Sequence, residues 1–301
     1  MNALRSFISA EMDHEVPPEV VRAGGVIACR LGGVAALFYG SVLRTGDLDG
    51  LLDFYVLRDP NTHSGVMGRL LWPDVSYHEI NIGGKLIRAK VASMPIDAFE
   101  NAASGRTIDT TIWARFVQPA ALVWVKDFGS RQKVIDAVAS ATSTAAGFAA
   151  LHGPEKGGPS SYWRALFRAT YAAELRVEAP GREDQIIGHD RARYDELLPL
   201  AWRRGGIQFT KGKGELAPRM SGDQINALAA AWLQSQAAGK WLNLARLLKA
   251  AFTFDGATRY AVWKIERHTG LHVPLTPFRE RHPIMAAPGV LWQLWRHSVA
   301  R

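Results

Sequence analysis

Short apolar runs, separated by breaks rich in glycine, proline and aspartate, fill the first 125 residues of the chain. Runs of this length with such breaks are typical of β-strands. A Gly83-Gly84-Lys85 break between two of the runs also indicates a hairpin. Residues 1–22 are predicted to form a leading helix or arm. Further helices are predicted at 62–72 and from Pro95. The predicted strands are residues 34–39, 52–57, 77–82, 86–92 and 119–125, with a further short apolar element at 26–31.

After residue 130 the pattern becomes helical. Alanine-rich or amphipathic segments at 131–152, 162–178, 190–202 and 222–252 predict helices. Residues 203–222 are glycine-rich and basic and are predicted to form a mobile loop. The sequence therefore predicts an α+β protein with a mixed sheet in an N-terminal domain, residues 1–128. A mostly helical C-terminal domain, residues 129–301, is predicted to follow.

Composition restricts the class of protein. The 301 residues are enough for about two domains, and no apolar run reaches the ~18 residues that a transmembrane helix needs. The N-terminus does not resemble a secretory signal. Cys29 is the single cysteine, which excludes an internal disulfide and a cysteine zinc site. We expect its thiol to be buried and the protein to be cytoplasmic.

Charge is unevenly distributed. The net charge is +8, but residues 201–301 contain 15 basic and 5 acidic side chains, whereas residues 1–200 have a net charge of −2. A basic C-terminal third favours an anionic partner: nucleic acid, phosphorylated lipid or the inner face of an anionic membrane. A solvated basic face without a partner is the alternative. Residues 288–300 form an amphipathic segment with Trp295, which suits either a peripheral membrane contact or a helix packed on the core.

The segment from residue 36 to residue 57 contains the strongest chemical pattern. A predicted strand ends in Gly40-Ser41, and Asp53 lies in the next strand. Backbone amides at a glycine–serine turn can approach a phosphate closely, and a strand carboxylate can bind a divalent metal that neutralises the phosphate. The arrangement has the outline of a nucleotidyltransferase site that uses Mg²⁺, but such sites usually carry Asp-x-Asp on the second strand, where this chain has Asp53 alone. A plain strand–turn–strand with a solvated Asp53 remains the alternative.

Three cations and one acidic pair are further candidates. Arg88 and Lys90 point to one face of a predicted strand and would suit a triphosphate, although an exposed edge strand would also explain them. Arg115 interrupts an apolar run, which indicates a carboxylate or phosphate partner. Glu174 and Glu178 share a helix face and could supply a second metal ligand or simply be solvated.

The chain resembles a known family in the order of these motifs over residues 35–200. The family is the mitochondrial translocator-assembly-and-maintenance family of CDP-diacylglycerol synthases, which are peripheral membrane enzymes that transfer cytidylyl from CTP to phosphatidate. Its motifs resemble segments at 39–41, 52–55, 88–94, 114–119 and 170–176 of this chain. The family also has a single strand aspartate, which matches Asp53.

The resemblance implies a polymerase-β-like nucleotidyltransferase domain, with Asp53 and Glu174 as catalytic metal ligands for Mg²⁺. Glu174 stands where the family has aspartate. The resemblance further implies that Gly40 and Ser41 bind the triphosphate of CTP, together with Arg88, Lys90 and Arg115. Which of Arg88 and Lys90 contacts phosphate stays open. The acceptor would be phosphatidic acid or another anionic lipid. Two alternatives remain: a degenerate fold of this type that binds nucleic acid, and a nucleotidyltransferase that acts on a different small acceptor.

Overall fold

The computed structural model describes residues 3–46, 50–60, 71–174, 181–269 and 272–281, together with residues 289 and 292. Three sequence expectations fall wholly or largely outside this part of the chain. They are most of the predicted helix at 62–72, the carboxylates of Glu174 and Glu178, and nearly all of the C-terminal segment 288–300.

A mixed sheet of five strands forms the N-terminal half, as the sequence predicted. The strands are β1 (Gly33–Tyr39), β2 (Leu52–Arg58), β3 (Asp74–Ile82), β4 (Lys85–Pro95) and β5 (Ala120–Val125). Their order in the sheet is β3-β4-β2-β1-β5. The β2–β4 pair is parallel and the other pairs are antiparallel. The predicted hairpin is the β3–β4 pair, which turns at Gly83 and Gly84 with φ angles of 58° and 84°.

Period-two alternation divides the strand side chains between two apolar layers. On β2, Phe54 and Val56 pack against a helix from residues 18–30, while Tyr55 and Leu57 face the larger core that contains most of the other helices. Asp53 lies two residues before Tyr55 and so belongs to the face that the larger core covers.

Helices cover both faces of the sheet and make up most of the second half. Their bounds are α1 (Ala3–Met12), α2 (Pro18–Arg30), α3 (Ser41–Thr45), α4 (Ile96–Ala103), α5 (Thr111–Phe116), α6 (Phe128–His152), α7 (Pro159–Glu174), α8 (Arg182–His189), α9 (Arg191–Arg204), α10 (Gly222–Thr253), α11 (Ala257–Thr269) and α12 (Pro277–Arg281). A separate two-stranded sheet pairs β6 (Gln208–Gly212) with β7 (Glu215–Arg219).

Helix α6 is the central helix of the larger core. The side chain of Asp127 caps its N-terminus by accepting a hydrogen bond from the Ser130 amide at 2.7 Å. Its many alanines let α4, α5 and α7 pack closely against it. It is also the one helix in the described residues that is long and apolar enough to cross a membrane, but 72% of its apolar window is buried inside the protein. Such burial is typical of a core helix.

Helices α10 and α11 are attached to the sheet domain by polar contacts. Arg246 of α10 donates to the Asp109 carboxylate at 2.6 Å, and Lys249 donates to Asp74 at 2.5 Å. Between the two helices, the carbonyl of Asp255 accepts a hydrogen bond from the Tyr77 amide at 2.8 Å. These contacts place the start of α11 against β3.

One apolar cluster includes buried residues from both sides of residue 128, from Leu4 in α1 to Trp232 in α10. The sheet and the helical region therefore pack through a shared core. The division into domains 1–128 and 129–301 stays a prediction.

Three local expectations were wrong. Cys29 is exposed, because it lies on the outer face of α2 while Ile27 and Ala28 face the sheet. Residues 26–31 are largely the last turns of that helix and not a separate apolar element. The predicted loop at 203–222 contains the β6–β7 hairpin, whose turn residues Lys213 and Gly214 have positive φ angles of 50° and 79°. Two such residues form the tight turn that strand twist favours.

A buried ion pair between α1 and α9 predicts a large stability effect. Arg193 donates to both carboxylate oxygens of Glu11 at 2.5 and 3.0 Å, and the side chains are only 5% and 14% exposed. Glu11→Ala should lower the free energy of unfolding by about 3 kcal/mol, because the Arg193 guanidinium stays buried without its partner. Urea denaturation measures this.

The matched control is Glu215→Ala, which breaks the exposed pair with Lys156. It should cost under about 1 kcal/mol. Equal losses for the two variants would show that burial of the Glu11–Arg193 pair contributes nothing.

Candidate functional site

The end of β1 and the start of β2 bring the glycine–serine segment and the strand aspartate together. Tyr39 is the register partner of Asp53, and Gly40 follows with φ 95° and ψ −161°, a conformation that is essentially restricted to glycine. A Cβ atom at Gly40 would lie 2.8 Å from the Asp53 Oδ2 atom. The carboxylate therefore lies directly against the backbone of the bend, on the same face of the sheet as Tyr39.

A first cleft, called here the arginine cleft, opens beside this contact with a volume of about 290 Å³. Three guanidinium groups from separate parts of the chain and the single carboxylate of Asp53 line it. Its lining residues are Tyr39, Gly40, Ser41, Arg44, Asp53, Arg115, Gln118, Pro119, Tyr171, Arg182 and Ile186.

Helices hold the arginines of this cleft. In α5, Ile112, Trp113 and Phe116 are buried in the core, while Arg115 of the same short helix lines the cleft. Its Nη1 atom donates to the Tyr39 hydroxyl at 2.9 Å, and its guanidinium lies 5.0 Å from the centre of the Tyr39 ring. This contact holds the positive charge of Arg115 beside Tyr39, the residue that precedes the Gly40 bend.

A second cleft of about 490 Å³, called here the α11 cleft, shares Ser41 and Asp53 with the first. It is closed by one side of α11. Its lining residues are Ser41, Val42, Thr45, Gly50, Leu51, Asp53, Lys90, Tyr260, Trp263, Lys264 and Arg267. Asp53 thus lies where the two clefts meet.

Burial dominates the electrostatics at the junction of the clefts. It raises the pKa of the Asp53 carboxyl above its usual value, and the nearby charges of Lys90, Arg115 and Arg44 oppose that rise only in part. Burial also lowers the pKa of Arg44, and the repulsion from Arg182 adds to this effect. Two cations held close together without full solvation favour the binding of an anion between them.

The predicted phosphate-binding cations do not all line the same cleft. Lys90 is the register partner of Asp53 in the parallel β2–β4 pair and lines the α11 cleft. Arg88 lies two residues before Lys90 on the same face of β4, with its Nε atom 3.5 Å from Glu79 and its guanidinium 6.0 Å from the Trp263 ring. Within the described residues, Arg88 lines neither cleft.

Glu174 is the last residue of α7, and its side chain lies outside the described part of the structure. Tyr171, three residues earlier, lines the arginine cleft. The helix therefore brings the backbone of this segment towards Asp53. The role of Glu174 as a metal ligand stays a prediction.

Several residues at the clefts had no assigned role in the sequence. Arg44 could have been found, since it follows Ser41 by three residues and a helix after the bend would bring the two together. Arg182 gave no local signal, and neither did the cleft-facing residues of α11, because they reach Asp53 only through tertiary packing.

Asp53 is the one carboxylate that lines the two clefts in the described residues, and no group of three metal-ligating side chains occurs in the same part of the chain. A cation here would have to share its coordination with a bound substrate.

No protein-family model and no curated protein matches the sequence.

Replacing the glycine at the bend tests the contact with Asp53. Gly40→Ala should lower the free energy of unfolding by about 3 kcal/mol, because the backbone conformation disfavours alanine and the new methyl meets the carboxylate. Gly46→Ala is the matched control. Gly46 also has a positive φ of 73°, but nothing lies within 4 Å of its Cβ position, so it should cost about 1 kcal/mol. Equal costs would contradict the contact.

The raised pKa of Asp53 predicts a pH-dependent stability. The folded state binds its proton more tightly than the unfolded state, so ionised Asp53 destabilises the fold above that pKa. Asp53→Asn should therefore be more stable than the wild type at pH 7. The difference should shrink as the pH falls through the raised pKa, because Asp53 then becomes neutral.

Thermal or urea unfolding across pH 4–8 would measure this difference. Asp223→Asn, at an exposed aspartate of α10, should show no comparable trend. A wild type that is more stable than Asp53→Asn at pH 7 would be incompatible with a net penalty on the charge.

Proposed function

We propose that the chain is a Mg²⁺-dependent nucleotidyltransferase with a polymerase-β-like N-terminal domain. The substrates we propose are CTP and phosphatidic acid, and the products are CDP-diacylglycerol and pyrophosphate. The reaction would belong to phospholipid biosynthesis.

The observation that supports this proposal most is the convergence of separate segments on one carboxylate. The lining of the arginine cleft includes Tyr39, Gly40, Ser41, Asp53, Arg115 and Tyr171. These residues lie in four of the segments on which the family resemblance rests, and they are up to about 130 positions apart in the sequence. Lys90, from the remaining segment, borders Asp53 from β4. Chance similarity of short motifs gives no reason for them to meet.

The charge of the clefts suits a polyphosphate. Arg44, Arg115 and Arg182 surround the single carboxylate in the arginine cleft. Guanidinium groups bind phosphate oxygens with paired hydrogen bonds, and a triphosphate would relieve the repulsion between Arg44 and Arg182. A neutral substrate would leave these charges uncompensated.

The described residues fit a magnesium ion that is shared with substrate. Mg²⁺ is usually bound through one or two carboxylates together with substrate phosphates and water, and Asp53 is the carboxylate available here. Glu174 is the proposed second ligand. A bound Mg²⁺ would neutralise charge on the phosphates. Because ligation requires an ionised carboxylate, the raised pKa of Asp53 would make metal binding weaken at acid pH.

The protein's own residues would mainly position the substrates and neutralise their charge. An oxygen of the phosphatidate phosphate would attack the α-phosphorus of CTP, forming a new P–O–P link. The bond between the α-phosphorus and its bridging oxygen would break, and pyrophosphate would leave with that electron pair. The attacking oxygen is already ionised, so no general base is needed. This suits a site with one described carboxylate and several cations.

Access to a lipid acceptor requires contact with a membrane surface. The net charge of +10 in residues 201–301 would favour peripheral docking on anionic lipid at the inner face of the membrane. Lys264 and Arg267 are exposed residues of that region that reach the edge of the candidate site.

Turnover tests the proposal directly. The protein should convert labelled CTP and phosphatidic acid, with Mg²⁺, into CDP-diacylglycerol and an equal amount of pyrophosphate. Asp53→Asn should lower kcat at least 100-fold, whereas Asp223→Asn should retain wild-type activity. Parallel assays with ATP, GTP and UTP test the preference for cytosine.

Equilibrium dialysis provides a check without turnover. Failure of the wild type to bind Mg·CTP would count decisively against a transferase. Salt-dependent binding of RNA or DNA with no nucleotide turnover would favour the degenerate, nucleic-acid-binding alternative. Turnover with a soluble phosphate ester but not with phosphatidate would indicate the small-acceptor alternative.

A further inference from the structure

One side of α11 combines aromatic and cationic residues at helical spacing. Tyr260, Trp263, Lys264 and Arg267 occupy positions i, i+3, i+4 and i+7, so they form one continuous face. That face lines the α11 cleft opposite Ser41, Asp53 and Lys90.

The backbone fixes this face in position. The Asp255 carbonyl pairs with the Tyr77 amide of β3, and Gly256 then turns the chain into α11 with φ 76°. A Cβ atom at Gly256 would lie 2.8 Å from the Tyr77 carbonyl oxygen. Only glycine allows both the left-handed conformation and this close approach. The start of α11 is therefore held against the strand next to β4.

Ring contacts continue the attachment along α11. The Tyr260 ring lies 5.7 Å from Tyr77 and 6.2 Å from Trp263. Two guanidinium groups lie near the Trp263 ring. That of Arg267, also in α11, is 5.4 Å from the ring centre, and that of Arg88, in β4, is 6.0 Å from it. The Lys264 ammonium lies 5.9 Å from the Tyr260 ring. The aromatic rings thus support a pair of cations at the rim of the cleft.

We infer that the α11 cleft is the subsite for the acceptor, a phosphate monoester that Lys264, Arg267 and Lys90 bind beside Asp53. The inference rests on the proposed function, because the proposed cytidylyl transfer from CTP to phosphatidate brings two anionic substrates together at one reaction centre. The two clefts meet that need, since they share Ser41 and Asp53 and are otherwise lined by different residues.

The cations decide which substrate occupies which cleft. The arginine cleft contains partly buried guanidinium groups, among them Arg44 and Arg115, which suit the highly charged triphosphate. Lys264 and Arg267 are exposed at the rim of the α11 cleft, where a headgroup from a surface or from solution can reach them. A third cleft, between α1 and α9, includes Arg44 but does not include Asp53 in its described lining. Because Asp53 is not among its described lining residues, this cleft does not place a substrate beside the shared carboxylate.

Binding measurements on the full chain test the subsite without requiring turnover. Isothermal titration would use dioctanoyl phosphatidic acid and glycerol 3-phosphate as acceptor probes, and Mg·CTP as the nucleotide. The double variant Lys264→Ala/Arg267→Ala should raise the Kd of the acceptor at least tenfold and change the Kd of Mg·CTP less than twofold. Arg219→Ala removes an exposed cation of β7 that lines neither cleft in the described residues, and it should change neither value.

A charge-retaining variant separates recognition from support of the helix. Lys264→Arg/Arg267→Lys should keep acceptor binding within threefold of the wild type, because both cations remain. Circular dichroism and urea unfolding check that every variant is folded. Binding of phosphatidate alone assigns the subsite to a lipid headgroup, and binding of both probes assigns it to phosphate monoesters in general.

Three results would overturn the inference. The first is no acceptor binding by the wild type, and the second is unchanged acceptor binding in the double alanine variant. The third is an equal loss of Mg·CTP binding in that variant, which would assign the α11 cleft to the nucleotide. Failure of the proposed function looks different. In that case the acceptor would bind in a Lys264- and Arg267-dependent way, but no CDP-lipid would form.

Discussion

The contact between the Gly40 backbone and the Asp53 carboxylate is the constraint on which the candidate site depends. It exists because Tyr39 and Asp53 are register partners at the ends of adjacent strands. Glycine is required there because its φ of 95° and the closeness of the Asp53 Oδ2 atom both exclude a side chain. A shift of one residue in register would turn Asp53 to the opposite, apolar face of the sheet. The strand register therefore determines the position of the chemistry.

Around this contact the protein keeps charged groups in an unfavourable arrangement. Burial disfavours ionised Asp53, and Arg44 and Arg182 repel one another. Such an arrangement lowers the stability of the unliganded protein, a cost that is common at functional sites. The surrounding core supports it: Tyr39 and Tyr55 pack on Phe116 of the helix that presents Arg115.

The helical half contributes to the site as well as to the core. Arg182 of α8 and Tyr171 of α7 close the arginine cleft on one side of Asp53, and α11 closes the other cleft. The ion pairs from Arg246 and Lys249 to the sheet domain, together with the Asp255–Tyr77 hydrogen bond, hold α10 and α11 in the positions that make this possible. The sheet supplies the carboxylate, and the helices supply most of the surrounding positive charge.

The sequence by itself determined the α+β class, the five strands of the sheet, the β3–β4 hairpin and the candidate group of Gly40, Ser41 and Asp53. It could do so because strand period, glycine turns and a strand carboxylate are local signals. Tertiary structure decided what depends on distant packing: the exposure of Cys29, the pairing of Arg88 with Glu79, and the approach of Arg182 and α11 to Asp53. No local pattern encodes such pairings, because they arise only when the helices bury their apolar faces against the sheet.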